Sequence, residues 1–186
     1  MNDQLHKILF AGPVGAGKTT AITSVSDSPV IATDAQASDE VVERKQTTTV
    51  AMDYGTLQID PQLNIQLVGT PGQERFGFMW EILSRGAIGV VFLIDNARPE
   101  PLADMAFYID AFRTLVDRQG GAAVVGVTRS DLAPSPGLDR YREELIRMGY
   151  RLPVFEVDAR KRDDVKVALL ALASELNPTT YWRQRA

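Results

Sequence analysis

Residues 12–19 read GPVGAGKT, and this stretch is the strongest structural signal in the chain. It matches the pattern G-x-x-x-x-G-K-[ST]. An apolar segment that predicts a strand, residues 7–11, precedes it, and residues 18–26 continue it as a predicted helix. A glycine-rich turn between a strand and a helix is the context that this pattern requires, so the sequence predicts a phosphate-binding loop.

The residue types of this loop suit a nucleoside triphosphate. Gly15 and Gly17 allow backbone N–H groups to curve around phosphates, and the helix N-terminus adds partial positive charge. Lys18 is expected to reach the outer phosphates, and the Thr19 hydroxyl is expected to bind Mg²⁺. The predicted nucleotide-binding residues of the loop are Gly12, Val14, Gly15, Ala16, Gly17, Lys18, Thr19 and Thr20.

Along the rest of the chain, apolar runs alternate with segments of helical period. This alternation predicts an α/β fold, a mostly parallel central sheet with helices on both faces. Two of the strands are close enough to form an antiparallel hairpin, which gives the sheet one antiparallel strand. The predicted strands are 7–11, 49–58, 63–69, 88–95, 122–128 and 154–157, the predicted helices are 18–26, 79–85, 99–118, 138–148 and 163–176, and the predicted loops include 28–46 and 70–78.

A second motif, residues 128–131 (TRSD), follows a predicted buried strand and has the form [NT]-[KR]-x-D. The Asp131 carboxylate can accept hydrogen bonds from both N1–H and the 2-amino group of guanine, whereas adenine would leave it unpaired. Asp131 alone could also cap a turn, and residues 158–160 (DAR), which could place a backbone N–H on the guanine carbonyl, could be a plain loop. The predicted base-binding residues are Thr128, Arg129, Asp131, Ala159 and Arg160.

The order and spacing of these motifs resemble those of the Ras-like small GTPases over nearly the whole chain. Residues 47–54 (TTTVAMDY) look like the first switch of that family, and residues 69–76 (GTPGQERF) look like its second switch. The resemblance implies a Ras-like G domain of the P-loop NTPase class spanning residues 1–186, which binds GTP or GDP with Mg²⁺. It also implies that Thr49 reaches Mg²⁺ (Thr47 and Thr48 are adjacent alternatives), that the Gly72 N–H contacts the γ-phosphate and that Gln73 positions the attacking water.

Two positions depart from the pattern of Ras itself. Gly69 stands where the family has an acidic residue that holds Mg²⁺ through water, and Pro71 precedes the glycine of the second switch. In both respects the chain looks more like the bacterial gliding-motility and cell-polarity branch of small GTPases. Val14 occupies the loop position where a bulky side chain impedes hydrolysis stimulated by an arginine from a partner. The resemblance therefore implies slow intrinsic hydrolysis.

The family branch is typically stimulated by a roadblock-type GTPase-activating partner, which would suit an arginine supplied by this chain. Arg44 is the preferred catalytic candidate and Arg75 the alternative, and either could be an ordinary surface residue. Phe76, Phe78 and Trp80 predict either packing of a short helix or a surface for a partner or effector.

Composition limits the other possibilities. The 186 residues fit one domain, a net charge of −4 argues against a nucleic-acid binder that relies on positive charge, and the absence of cysteine excludes disulfides and thiol nucleophiles. Asn2 stands where N-myristoylation needs glycine, and the longest apolar run, residues 87–94, is shorter than a membrane span. We expect a cytoplasmic monomer without its own membrane anchor.

The leading hypothesis is a GTP-operated switch in which segments 33–49 and 69–78 are ordered by the γ-phosphate and released by hydrolysis. One alternative is a P-loop ATPase or kinase, with residues 88–95 as a Walker-B strand that ends in Asp95. The other is a nucleotide-dependent scaffold with little hydrolysis, an alternative that Gly69 and Val14 support.

Overall fold

A computed structural model describes residues 6–32, 52–60 and 63–176. The strands are β1 His6–Ala11, β2 Ile31–Ala32, β3 Asp53–Asp60, β4 Leu63–Gly69, β5 Ala87–Asp95, β6 Ala122–Thr128 and β7 Val154–Glu156. The helices are α1 Lys18–Val25, α2 Gly77–Ser84, α3 Pro101–Ala111, α4 Arg113–Val116, α5 Leu138–Arg147 and α6 Arg162–Glu175, with a 3₁₀ turn at Glu74–Phe76.

The strands of this part of the chain form one sheet in the order β2-β3-β4-β1-β5-β6-β7. Only β3 in this sheet runs antiparallel to its neighbours, whereas β4, β1, β5, β6 and β7 pair in parallel. This confirms the predicted mostly parallel α/β sheet with one antiparallel strand. The parallel strands all end at one edge, and β3 begins there, with Asp53 opposite Gly69. This edge is where an α/β sheet ordinarily binds its ligand.

Side chains alternate between the two faces of the sheet and fill two hydrophobic cores. Ile8 and Phe10 of β1 pack in the core beneath α1 and α6, and Leu9 and Ala11 pack in the core beneath α2 to α5. The strands β5 and β6 are buried along their whole length, as their continuous apolar sequences predict. Helices therefore cover both faces of the sheet, and the loops at its carboxyl edge are anchored in well-packed strands and helices.

Several predicted boundaries were wrong, among them those of the strand predicted at 49–58, which the structure has at Asp53–Asp60. The predicted helix 99–118 is broken at Phe112 (φ −104°, ψ 14°), whose buried ring packs against Trp80 and Phe92. The predicted loop 70–78 contains the 3₁₀ turn and the start of α2, two residues before the predicted helix. The short strand β2 lies inside the predicted loop 28–46 because it pairs with the start of β3.

Several predictions concern residues outside the described ranges. Among them are Arg44, Thr47 to Thr49 and most of the predicted first switch. Within residues 6–32, 52–60 and 63–176, no helix has the length and apolar character that crossing a membrane would require.

Candidate nucleotide site

The predicted phosphate loop connects β1 to α1 at the carboxyl edge of the sheet. Gly15 and Gly17 have φ of 83° and 94°, a left-handed conformation that glycine adopts without strain. Lys18 is the first residue of α1, and its Nζ donates hydrogen bonds of 2.8 Å each to the carbonyl oxygens of Gly12 and Pro13. The lysine ammonium is therefore fixed against the loop rather than extended into solvent.

Burial changes the pKa of the Lys18 ammonium. Lys18 is only 8% exposed, and burial lowers its pKa to about 8, against the opposing effect of the Asp53 carboxylate, which raises it. A positive charge that is shielded from water interacts strongly with a nearby anion, because the local dielectric constant is low. Phosphate groups in the loop would both attract the Lys18 charge and hold it in its protonated form.

At the other end of the site, the loops after β6 and β7 meet the phosphate loop around a cavity of about 620 Å³. This volume lies within the range of small-ligand sites. The cavity brings together most of the residues that the sequence predicts for nucleotide binding. Its lining includes Gly15, Ala16, Gly17, Thr20, Thr128, Arg129, Asp131, Ala159 and Arg160.

Two contacts fix the loops of this cavity to one another. The Thr128 hydroxyl donates to the carbonyl oxygen of Ala16 in the phosphate loop, at 3.1 Å. The Ala159 side chain lies so close to Gly17 that a Cβ at position 17 would be 3.0 Å from it. The predicted base-binding loops are therefore held at a set distance from the predicted phosphate site.

Arg129, which lines the cavity, is held in place by an ion pair. Its backbone is left-handed (φ 59°), and its Nη1 lies 2.6 Å from Oδ2 of the buried Asp95. The other carboxylate oxygen of Asp95 accepts a hydrogen bond from the Ala97 N–H at 3.0 Å. Both oxygens of Asp95 are thus engaged, next to the loop that the sequence predicts to bind the base.

Asp131 stands at the rim of the cavity, with its side chain 65% exposed. The guanidinium of Arg160 lies 3.9 Å from it and also makes two hydrogen bonds, of 2.8 and 2.9 Å, to Asp158. Arg160 holds the pKa of the Asp158 carboxyl at about 2, well below its usual range. The Asp131 carboxylate is accessible to a ligand and faces a cation across the rim.

Near Lys18, the start of the predicted second switch lies directly against the phosphate loop. A Cβ added to Gly72 would be 2.6 Å from the Val14 nitrogen and 2.8 Å from Lys18 Nζ, so only glycine fits there. Two buried side chains donate hydrogen bonds to the backbone carbonyls of this segment. Trp80 Nε1 donates to the Pro71 carbonyl at 2.8 Å, and the Tyr108 hydroxyl donates to the Gly72 carbonyl at 2.7 Å.

Tyr108 is a site residue that sequence reasoning missed. It lies on α3, 36 residues beyond Gly72, and nothing in its local sequence indicates that it contacts the second switch. Burial and the negative charge of Asp104 raise the pKa of Tyr108 to about 12, so its hydroxyl remains a donor at neutral pH.

The remaining predicted residues around the second switch, together with Val14 of the phosphate loop, lie on the surface or in the core. Gln73 is exposed and precedes the 3₁₀ turn, and Val14 is 57% exposed. Phe78 is 66% exposed, but Trp80 is buried and packs against α3, in agreement with the packing alternative. Phe76 is half-buried beneath the Arg75 guanidinium.

Thr19, the predicted metal ligand, has an unforeseen partner. Its hydroxyl donates a hydrogen bond of 2.7 Å to Oδ2 of Asp53, the first residue of β3. Within the described part of the chain, His, Cys, Asp and Glu side chains nowhere gather in groups of three or more that could hold a metal ion. The Thr19 hydroxyl and the Asp53 carboxylate offer oxygen atoms only, the kind of donor that Mg²⁺ prefers.

A comparison with known protein families matches residues 28–178 to a family described as "conserved hypothetical ATP binding protein". The matched stretch covers most of the chain, from just before β2 to beyond α6, and it includes the loops after β6 and β7 that line part of the cavity. The phosphate loop, residues 12–19, precedes it.

Proposed function

The chain belongs to the family of conserved hypothetical ATP-binding proteins, and from that premise we propose that it is a guanine-nucleotide switch. Family and fold together make it a nucleotide-binding P-loop protein. Our proposal concerns the base it selects and the use it makes of the γ-phosphate.

One observation carries the choice of guanine. The accessible carboxylate of Asp131 lies on the same cavity as Thr128, which is hydrogen-bonded to the phosphate loop. A nucleotide seated on that loop would present the edge of its base to Asp131. Guanine offers two N–H donors to a carboxylate, N1–H and the 2-amino group, whereas adenine has no such pair of donors.

ATP is the second candidate, because the family description names it. The sequence feature that favoured an ATPase was Asp95 at the end of an apolar strand. Both of its carboxylate oxygens are engaged, by Arg129 and by the Ala97 N–H, at the base-binding end of the site. This arrangement leaves Asp95 poorly suited to the metal of an ATPase and favours the guanine proposal.

The proposed switch uses the γ-phosphate to move the second-switch segment. Gly72 lies against Val14 and Lys18, where the resemblance to small GTPases puts the γ-phosphate contact. GTP would have to displace or reorient this segment, and GDP would not. Val14 would keep hydrolysis slow. In the reaction Gln73 would position the attacking water and Arg44 would be the catalytic arginine, while Thr19 and Thr49 would bind Mg²⁺. A roadblock-type partner would stimulate hydrolysis, and an effector would bind the surface that includes Phe78.

The test of the proposed function is a titration with fluorescent GDP, GTP, ADP and ATP in the presence of Mg²⁺. We expect tight binding of both guanine nucleotides and weak binding of both adenine nucleotides. Asp131→Asn should weaken GDP binding at least about tenfold and favour xanthine, whose C2 carbonyl accepts from an amide group. Asp139→Asn, an exposed aspartate on α5, is the matched control. Tight ATP binding with no response to GTP would reject the proposal in favour of ATP.

A further inference from the structure

The chain lacks the acidic residue that the small-GTPase resemblance expects at the end of β4. Position 69 is glycine, and its partner across the antiparallel pairing with β3 is Asp53. The two residues belong to different strands, but they lie side by side at the edge of the sheet that carries the phosphate loop. A carboxylate is therefore present beside position 69, although not at it.

The two positions compete for one space. A Cβ built on Gly69 would lie 2.7 Å from Oδ2 of Asp53 and 3.1 Å from its Cβ. Such distances are too short for ordinary contacts, so a side chain at position 69 and the observed Asp53 side chain exclude each other. The glycine on β4 is the condition that allows the carboxylate of β3 to occupy this place.

The Asp53 carboxylate is hydrogen-bonded to Thr19, the residue predicted to bind the metal. The Thr19 hydroxyl donates a hydrogen bond of 2.7 Å to Oδ2 of Asp53, so the lone pairs of the Thr19 oxygen can face a cation. A carboxylate has a second oxygen that can accept a hydrogen bond from water. Partners of this kind orient metal ligands and increase their basicity.

We propose that Asp53 is the carboxylate of the magnesium site, which supplies from β3 the negative charge that the family pattern places on β4. It positions the Thr19 oxygen and accepts hydrogen bonds from water bound to Mg²⁺, which usually keeps several waters in such sites. The inference rests on the proposed function, because the metal is the one that accompanies the bound guanine nucleotide.

The hydrogen bond between Thr19 and Asp53 would also serve to tie α1 to β3, and Asp53→Asn separates the two roles. The asparagine side chain keeps an oxygen that accepts from Thr19, but it loses the negative charge. A purely structural role predicts that the Asp53→Asn variant binds metal as the parent protein does, whereas a role in the metal site predicts weaker metal binding.

The experiment measures the release of fluorescent GDP over a range of Mg²⁺ concentrations, together with Mn²⁺ binding to the GDP complex by electron paramagnetic resonance. For Asp53→Asn we expect metal affinity to fall about 10- to 100-fold, so that GDP release resembles that of the parent protein in EDTA. Asp60→Asn, at the far end of the same strand, is the control and should leave both readouts unchanged. Metal affinity unchanged in Asp53→Asn overturns the inference.

A strand-swap variant, Asp53→Gly with Gly69→Asp, decides the question if Asp53→Asn does not fold. It moves the carboxylate back to β4 and removes the clash that Gly69→Asp alone would create. Asp53→Gly alone is the comparison. A swap that restores a response of GDP release to Mg²⁺ that Asp53→Gly has lost supports the inference, and an Asp53→Gly variant that keeps the response of the parent protein overturns it. Failure of the parent protein to bind guanine nucleotides would instead defeat the proposed function.

Discussion

The two ends of the nucleotide site are built in different ways. The base-binding end consists of loops that follow β6 and β7, fixed by Thr128 to the phosphate loop, around an open cavity. At the triphosphate end, the Gly72 segment lies on the phosphate loop, and β3 contributes Asp53. The proposed base-binding end is open to a ligand as it stands, whereas the proposed function requires the Gly72 segment at the triphosphate end to shift when a γ-phosphate binds.

The proposed function therefore assigns nucleotide affinity and switching to separate parts of the molecule. Changes at the base-binding end should alter GDP and GTP binding alike. Changes at the Gly72 segment should alter the ratio between them, because only GTP carries the group that competes with this segment. Variants at the two ends of the site test that separation.

Replacement of Lys18 should have the largest effect, because its buried ammonium is shared by every nucleotide that uses the loop. We expect Lys18→Met to weaken both GDP and GTP more than about 100-fold, as the loss of a charge-assisted phosphate contact in a desolvated site implies. Equilibrium titration with both nucleotides measures this. Lys166→Met, an exposed lysine on α6, is the control. GDP affinity within a few-fold of the parent would contradict the assigned role of Lys18.

The lowered pKa of Lys18 predicts a pH dependence. With its pKa at about 8, the free protein loses this charge as pH rises from 7 to 9, so nucleotide affinity should fall over that interval. Stability should change in the opposite direction. Between about 8 and the usual value of 10.5 the unfolded chain binds more protons than the folded one, so the Lys18 contribution to the free energy of unfolding rises with pH.

Titrations at several pH values and parallel urea unfolding, each compared with Lys18→Met, measure the two trends. Identical pH profiles for the parent protein and this variant would show that Lys18 causes neither trend.

Two buried tyrosines, one at each end of the site, allow a matched comparison. Tyr108 donates to the Gly72 carbonyl, and Tyr141 donates to Asn96 Oδ1 at 2.6 Å, near the loop after β6. Tyr108→Phe removes about 1 kcal/mol from the contact that holds the segment down, so the ratio of GTP to GDP affinity should rise roughly fivefold. Tyr141→Phe should leave that ratio unchanged, although it lowers stability by a similar amount.

Stopped-flow association and dissociation of both nucleotides give the ratio for each tyrosine variant, and urea unfolding gives the stability. Equal shifts of the ratio in Tyr108→Phe and Tyr141→Phe would remove the distinction between the two ends.

The sequence predicts which motifs meet at the carboxyl edge of the sheet, but it does not predict the contacts that Asp53 and Tyr108 make there. Residues 12–19 and 128–131 are short, contiguous motifs, and each follows a buried strand whose apolar run defines its end. The carboxyl ends of parallel strands meet at one edge, so finding the strands was enough to bring these motifs together.

Asp53 and Tyr108 escaped prediction because their roles depend on register and helix packing. Asp53 was visible within residues 47–54, but its position beside Thr19 follows from the pairing of β3 with β4, which a single sequence does not fix. Tyr108 reaches Gly72 from a different helix, α3, which packs on Trp80 through the rings of Tyr108 and Phe112.

The smallest effect is expected at Arg160, which faces Asp131 from 3.9 Å across the rim of the cavity. Both side chains are largely exposed, so water and salt screen their interaction. Arg160→Ala should weaken GDP and GTP equally and by no more than a few-fold, and NaCl at about 0.5 M should abolish the difference from the parent protein. Arg140→Ala, an exposed arginine on α5, is the control. A shift in the GTP-to-GDP ratio would mean that the base-binding end also senses the γ-phosphate, and affinity and switching would then share residues.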